Sequence, residues 1–530
     1  MIAVGRTIFR PCLILVGAGL LYFLYPNPRL DFSLFDSRDA ESYLALSWSL
    51  VAHHDYTRNL DPQFYIPHTT WPPGLPLLLT PMALLSGLPI DLLIVKLGMI
   101  AYGVLGIALA YLYAMRLTSA PLARLAVPLM LALNPHYWLF SRMTNSEMPI
   151  VLWTLVALLL ADIGWARGTI RHGTAFGYGL VCGFGMLIRG SFFGALFLPL
   201  AYLLFLRTPP VDAARMASRY GCYVAGFLMP FVAWLARNHM IDRRLLGPDG
   251  IDQLAMIFRT SPVDPSSPFR SLPQIVADAA ANLRDSVIYQ IPRSVIPGLW
   301  HQEFWSDLGR WSAPLAALLA LALVLLSCRS KKNVPLILMY GSMAALNILY
   351  AVGGMARLWV PVTCLLALSL PIGLETLAFP CGRRVRAACA GLALTALAAS
   401  LAAYVIRHEQ SPYRNPDYAA LAGLFAEIRM HDGLAGNVLT PNPQAFALYT
   451  GLSAPMAAPR IGVDPAYAYV ILPDAEWQEQ SIRGTVLAEN GIWSLVALDA
   501  PLTLGEFRAQ FRCASSSIAA FAVLSHCLIR

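Results

Sequence analysis

The chain has 530 residues, of which 57% are hydrophobic and only 13% charged, and its mean hydropathy is +0.58. Soluble domains carry about 25% charged and about 45–50% apolar residues, so an ordinary water-soluble protein is excluded. The formal net charge of +8 does not point to nucleic acid, because the basic residues sit mostly in short loops between apolar runs, where they set membrane orientation.

Apolar runs of roughly 17–25 residues, each able to cross a hydrocarbon core of about 30 Å, recur from the N-terminus to residue 406. Arg6 and Arg10 precede the first run, near 8–25, and place the N-terminus in the cytoplasm. That run resembles an uncleaved signal anchor: it exceeds the usual h-region of about 7–15 residues and no small-residue cleavage site closes it. The polar stretch that follows then lies outside. This stretch, 26–71, contains Phe35-Asp36-Ser37-Arg38-Asp39-Ala40-Glu41-Ser42-Tyr43, three carboxylates ahead of a helical pattern at Tyr43, Leu46, Leu50 and Val51. The pattern predicts an amphipathic helix along the membrane surface. Asp39 is placed to cap it, with Ser42 at the third position. A cap accounts for one carboxylate and not for three.

The segment 72–88 reads as a span or as an interfacial element. If it spans, the clusters Arg116/Arg124, Arg167/Arg171, Arg207/Arg215/Arg219, Arg329/Lys331/Lys332 and Arg383/Arg384/Arg386 all fall outside; if not, all are cytoplasmic. The positive-inside rule favours the second assignment, as do Pro72, Pro73, Pro76 and Pro81. About 11 spans result, near 8–25, 92–115, 121–141, 148–165, 174–188, 191–206, 220–236, 312–328, 334–351, 358–379 and 387–406. The expected class is mainly α: a polytopic helical membrane domain over 1–406 with outer loops 26–91 and 237–311, and an extracytoplasmic α/β domain over 407–530.

Further along the outer side, Glu147 begins a span, where it either serves the reaction or simply favours the positive helix N-terminus. Arg189, Arg237 and Arg357 stand at outer edges, unlike the other short-loop arginines. Arginine there snorkels to headgroups or forms the cationic rim a phosphate-bearing lipid needs. His68 and His301 read as interfacial loop histidines or as contacts to a sugar or acceptor, and Tyr65, Trp71, Trp300 and Trp305 as sugar platforms or interfacial aromatics. The proline-punctuated loop 237–311 carries one helix near 272–286. Seven cysteines, from Cys12 to Cys389, read as small buried hydrophobes, whereas Cys513 and Cys527 lie in the polar C-terminal part, where a disulfide is one option. That part predicts helices near 416–431, 443–450 and 474–481 and strands at 437–440, 467–472, 484–488 and 493–498, with no nucleotide-binding fingerprint.

The order of these features resembles the GT-C superfamily of integral-membrane glycosyltransferases, and within it the branch of protein O-mannosyltransferases and lipid A aminoarabinose transferases. The resemblance runs through Asp39-Ala-Glu41-Ser-Tyr43, Trp71-Pro72-Pro73-Gly74, Asn134-Pro135, Ser141-Arg142…Glu147, Leu187-Ile188-Arg189-Gly190, Trp234-Leu-Ala-Arg237-Asn238 and Arg357…Pro361, and covers about residues 8–406. The chain departs from the family where members often carry a Lys before the Pro-Pro pair: His68 and Trp71 occupy that neighbourhood, and Arg189 stands where many relatives have Lys. Phosphate contacts are therefore expected to be guanidinium-based.

The resemblance implies an inverting transferase that takes a sugar from a polyprenyl-phosphate carrier to a protein, lipid or glycan acceptor, in a bacterial inner membrane, with the site on the periplasmic side. In that reading Asp39 is the first choice as general base, with Asp36 and Glu41 beside it. Arg189, Arg237 and Arg357 bind the donor phosphate, while Glu147, His68 and Tyr43 assist the acceptor or a metal. A divalent cation, Mg2+ or Mn2+, held by Asp39 and Glu147 is left open. Membrane lipid is an expected partner and nucleic acid is not. The alternatives are a membrane transporter, which calls for internal repeats and ionisable residues inside the bilayer, and a non-catalytic envelope-assembly protein. Lys96 is the main ionisable residue well within a predicted span, and no repeat is visible.

Overall fold

The computed structural model of the chain describes residues 17, 39–60, 63, 67–165, 170–206, 213–241, 258–260, 267–292, 309–350, 356–378, 416–430, 434–440, 443–454, 465–473, 483–489, 493–503 and 506. The last predicted span, the first apart from Gly17, the predicted helix 474–481, Asp36, Tyr65, Trp300, His301, Trp305, Cys513 and Cys527 lie outside the described residues.

Long apolar stretches form helices because lipid offers no partner to a backbone N–H or C=O. Among the described residues, two of them, α3 (Leu92–Leu117) and α6 (Glu147–Gly164), are long and apolar enough to cross a bilayer. Around them lie α4 (Pro121–Ala132), α5 (Pro135–Phe140), α7 (His172–Ile188), α8 (Gly190–Leu206), α9 (Ala213–Met240), α11 (Gly309–Ser327), α12 (Val334–Leu349) and α13 (Val360–Ala378). The segment after Pro73 forms α2 (Gly74–Ser86), whose 13 residues reach only ~20 Å, short of a hydrocarbon core of about 30 Å.

Two expectations change. The span predicted over 121–141 is two helices, α4 and α5, because Asn134 stops the first and caps the second: its Oδ1 accepts from the backbone N–H of Tyr137 at 3.1 Å, with Pro135 at the first helical position. The helix predicted to lie along the membrane surface, α1 (Ala40–Ala52), is covered on both sides. Leu44 and Ala45 share a core with Leu75 and Leu79 of α2 and with Phe446 and Leu448 of the C-terminal part, and Ser42, Ser47 and Ser49 are buried as well.

Helix α11 identifies the surrounding medium. Leu315, Leu318, Leu319, Leu321 and Leu325 are each more than half exposed, while Ala317 and Ala320 are buried. Small residues inward and large apolar residues outward suit a helix in lipid and not one in water. The protein is embedded in a membrane.

Helices α7 and α9 are parallel and touch backbone to backbone. A Cβ on Gly183 would strike the carbonyl of Phe227, and one on Gly226 would strike the carbonyl of Phe176. Both helices therefore deliver their C-terminal residues, including Arg189 and Arg237, to one end of the bundle. Glu147, at the start of α6, lies at that same end. The opposite end holds Arg116 against Asp162 at 3.6 Å, and Thr118, which donates to Glu375 at 2.7 Å.

The C-terminal part carries α14 (Pro416–Met430), α15 (Pro443–Thr450) and a four-stranded sheet of β1 (Asn437–Leu439), β2 (Tyr467–Pro473), β3 (Gly484–Glu489) and β4 (Trp493–Leu502) in the order β1-β2-β4-β3. Strand β1 is parallel to β2, and the other pairings are antiparallel. The rings of Phe425 and Phe446 pack α14 on α15 at 5.1 Å. Helix α15 in turn seats on α1, and the Ile90 N–H donates to the Leu448 carbonyl at 2.8 Å.

Candidate active site

The polar end of the bundle begins with the loop before α6. Ser141, Arg142, Thr144, Asn145 and Glu147 are all buried there, an unusual density of polar groups away from solvent. The Arg142 guanidinium lies 3.8 Å over the Trp138 ring. Glu147 occupies the first turn of α6, where the helix dipole favours its charge. Its side chain is 3% exposed and its Oε1 accepts from Nη1 of Arg189, 11% exposed, at 3.3 Å. Glu147 Oε2 is buried and has no hydrogen-bond partner among the described residues. Arg189 itself breaks α7 with an extended backbone (φ −157°, ψ 127°).

Against this end packs the start of α2. A Cβ on Gly74 would collide with the backbone of Leu187 and Ile188, so the Pro72-Pro73-Gly74 sequence meets the chain immediately before Arg189. Trp71 precedes it, half-buried, with its ring 4.8 Å from Tyr43, 5.4 Å from His68 and 5.9 Å from the Arg58 guanidinium. The cluster continues through Tyr56 to Trp234 at 5.4 Å, and Leu46, Tyr56, Leu187 and Trp234 share one buried core. Four of the motifs singled out in the sequence, on α1, the 67–74 loop, the end of α7 and the end of α9, thus converge.

Arg237 shapes this loop. Its Nη1 donates to the His68 carbonyl at 2.7 Å and to Asn238 Oδ1 at 2.9 Å, while Asn238 Nδ2 donates to the Thr69 carbonyl at 3.1 Å. The guanidinium also faces the rings of Tyr56 and Trp234 at 5.5 and 5.1 Å. His68 is buried, and its Nε2 accepts from the Trp71 N–H at 3.0 Å, which fixes the proton of the neutral ring on Nδ1. Burial, followed by the nearby charges of Arg58 and Arg237, holds this imidazole well below its usual 6.5. Burial pushes the Tyr56 phenol well above its usual value, and its hydroxyl donates to the Trp71 carbonyl at 2.9 Å.

Asp39 stands at the start of α1, half-buried, one turn before Tyr43, whose N–H donates to the Asp39 carbonyl at 3.0 Å. The predicted side-chain cap is not made: Asp39 has helical dihedrals (φ −89°, ψ −26°), and a cap needs an extended residue to aim its carboxylate at the following N–H groups. Glu41 is buried and, two residues on, occupies another face of α1. The side chain of Arg357 lies outside the described residues; its backbone belongs to a tight turn, Ala356–Trp359, tied by Asn347 Nδ2 to the Leu358 carbonyl at 2.7 Å. Lys96 is buried within α3.

Among the described residues, no group of three or more His, Cys, Asp or Glu side chains is placed to hold a metal ion. Arg142 and Arg58 are contributors that sequence reading did not assign. Their signals were the buried Ser-Arg…Glu loop and a basic residue between two aromatic clusters.

No protein-family model matches the chain, and no curated protein matches it. Among solved structures, the chain is similar to ArnT from Cupriavidus metallidurans in its apo state, at 14% identity over 94% of this chain and 98% of that one, with a TM-score of 0.44. The same protein bound to undecaprenyl phosphate gives 13% identity over 92% and 97%, with a TM-score of 0.45. The archaeal oligosaccharyltransferase AglB from Archaeoglobus fulgidus, in complex with an inhibitory peptide and a dolichol-phosphate, gives 14% identity over 89% and 70%, with a TM-score of 0.48.

Proposed function

We propose that the chain is an inverting glycosyltransferase of the GT-C type, which moves a sugar from a polyprenyl-phosphate carrier to a protein, lipid or glycan acceptor. Its site is assigned to the periplasmic face of a bacterial inner membrane, the side on which the positive-inside rule leaves Arg189 and Glu147. The observation that carries the reading is the meeting, at one end of the bundle, of the Glu147–Arg189 pair with the aromatic loop that lies one helical turn from Asp39.

In the reaction, the Asp39 carboxylate takes the proton of an acceptor hydroxyl as its oxygen attacks the anomeric carbon. The new carbon–oxygen bond forms on the face opposite the bond to phosphate, which breaks with inversion, and the electron pair leaves with the lipid phosphate. Phosphate departs as an anion, so no general acid is needed. Arg189 supplies donors to it, helped by Arg357. Glu147 engages Arg189 through one nitrogen at 3.3 Å, and so orients the guanidinium while leaving its other N–H groups for the phosphate. Trp71 and Tyr43, packed against each other at a tilt, offer faces for a sugar ring. Arg237 contributes by holding the loop in place through the carbonyl of His68.

The test is Asp39→Asn, which keeps shape and hydrogen bonding and removes the base. Transfer from a polyprenyl-phosphate sugar should fall by about 10²–10⁴-fold, with thermal unfolding unchanged. Near-normal turnover would remove Asp39 as the base.

A further inference from the structure

A second surface of the outer side has no part in the site described above. Arg259 bridges to Phe269 in antiparallel fashion just ahead of α10 (Leu272–Asp285), which begins with a reciprocal Ser271–Gln274 capping box and continues as a wider turn over Ser286–Gln290. This helix is fastened to the C-terminal end of α12. Arg270 Nη2 donates to the Leu349 carbonyl at 2.9 Å, and Asn282 Nδ2 donates to the carbonyls of Ile348 and Tyr350 at 2.9 and 2.8 Å. Arg270 also pairs with Asp278 at 2.9 Å. These polar ties hold the side of α10 that carries Asn282 against the protein.

Its apolar residues point elsewhere. Leu272 (74% exposed), Val276 (61%) and Leu283 (51%) fall on one stripe at helical spacing, with Phe269 exposed just ahead of them. Gln274, Ala281 and Arg284 are exposed on the opposite flank. The large apolar side chains of α10 thus lie on one exposed strip, and Gln274 and Arg284, among small alanines, on the other.

The height of the helix decides what meets the apolar strip. Helix α12 carries an exposed stripe of Leu338, Gly341, Ala345 and Leu349, the lipid-facing side of a helix in the membrane. Arg270 is bonded to the carbonyl of the last of these residues. Gly194 faces Ser342, and the Lys331–Asn333 turn adjoins Tyr202–Leu206, so α12 and α8 are antiparallel and Leu349 lies at the Arg189 end. Helix α10 is thereby tied to the end of the lipid-facing stripe of α12, at the level where the bundle leaves the hydrocarbon.

We propose that α10 is an interfacial anchor: Leu272, Val276 and Leu283 seat in the headgroup and upper acyl region of the outer leaflet, while Gln274, Ala281 and Arg284 stay in water. The partner is bilayer lipid, and the anchor fixes the 267–292 segment to the membrane surface beside the site. An apolar helix face inserted about 5–10 Å below the headgroup boundary is the usual geometry of such elements.

The full chain, carrying an environment-sensitive fluorescent amino acid in place of Val276 or, separately, of Ala281, is reconstituted in phosphatidylethanolamine and phosphatidylglycerol vesicles. The vesicles contain a nitroxide lipid labelled just below the headgroup. Both positions are exposed, so neither replacement threatens folding. Quenching at 276 should exceed that at 281 by about twofold or more, as expected for a strip lying below the headgroups. Equal quenching at the two positions would overturn the proposal. So would a site at 276 shielded from both lipid nitroxide and aqueous quencher, because a second copy or another protein would then cover the strip. Neither readout depends on catalysis, so the result stands apart from the transferase assignment.

Discussion

Arg189 and Arg237 leave the bundle from the ends of two parallel helices in backbone contact, yet they are used in different ways. Arg237 bonds a main-chain carbonyl and its neighbour's amide and lies against two rings. Arg270 is of the same kind, bonded to the Leu349 carbonyl and to Asp278. Arg189 meets a single buried carboxylate at 3.3 Å, and the second oxygen of that carboxylate is without a hydrogen-bond partner among the described residues. Arginines that hold loops consume their donors on carbonyls, whose positions the backbone fixes. One set against a lone carboxylate keeps donors for a ligand. Of these two arginines, Arg189 is the one whose geometry suits the proposed phosphate contact, while Arg237 is bonded to the 67–74 loop.

The largest effect that tests this contrast is expected from Glu147. Glu147→Ala leaves a buried guanidinium without its counter-charge, which costs about 3–5 kcal/mol. The detergent-solubilised protein should show a large fall in Tm, and donor binding should weaken with it. Glu147→Gln keeps an oxygen acceptor for Arg189 and should lose less of both. If the two variants unfold alike, charge compensation is not what fixes Arg189, and the contrast with Arg237 collapses.

The sequence made part of this legible. Apolar runs located α3, α6, α7 and α9 because backbone satisfaction in lipid leaves a long apolar segment little choice but a helix. The break at Asn134 was written as Asn-Pro, but the apolar residues Tyr137, Trp138, Leu139 and Phe140 continue the helical run and hide it. The burial of α1 was not legible, since its serines look like a solvated face until α2 and α15 close over it. Nor was the task of Arg237: its partner is a backbone carbonyl 169 residues away, and no side-chain pattern announces a carbonyl. The Glu147–Arg189 pair lay between these cases, because both residues were marked as outward-edge charges and only packing could join them.

A smaller effect should follow from disturbing both arginines together. Gly183→Ala puts a methyl group into the carbonyl of Phe227 and forces α7 and α9 apart. Overpacking of this kind costs about 1–3 kcal/mol. Because the helices carry Arg189 and Arg237 at their ends, activity should fall by more than the loss of stability explains, whereas Gly177→Ala on the same helix, where a Cβ meets open space, should be near neutral. Equal behaviour of the two variants would mean that close approach of the helices does not set the arginines.

The smallest effect separates the two arginines by pH. His68 gives its Nε2 lone pair to the Trp71 N–H and its carbonyl to Arg237, so protonating the ring breaks the first bond and adds a cation beside Arg58 and Arg237. Burial and those two charges hold the folded-state value well below the unfolded 6.5. Between the two values the unfolded chain binds the proton and the folded one does not, so stability rises with pH in that window. The contribution is complete above 6.5 and is lost as pH falls from there toward the folded value, at up to about 1.4 kcal/mol per pH unit. Tm measured from pH 7 to pH 5 should therefore decline more steeply in the native protein than in His68→Gln, whose amide oxygen accepts from Trp71 without titrating. Matching slopes would show that the imidazole is not the neutral acceptor holding the loop. A steeper native slope would mean that mild acid loosens the loop clamped by Arg237 through a group on which the Glu147–Arg189 pair does not depend.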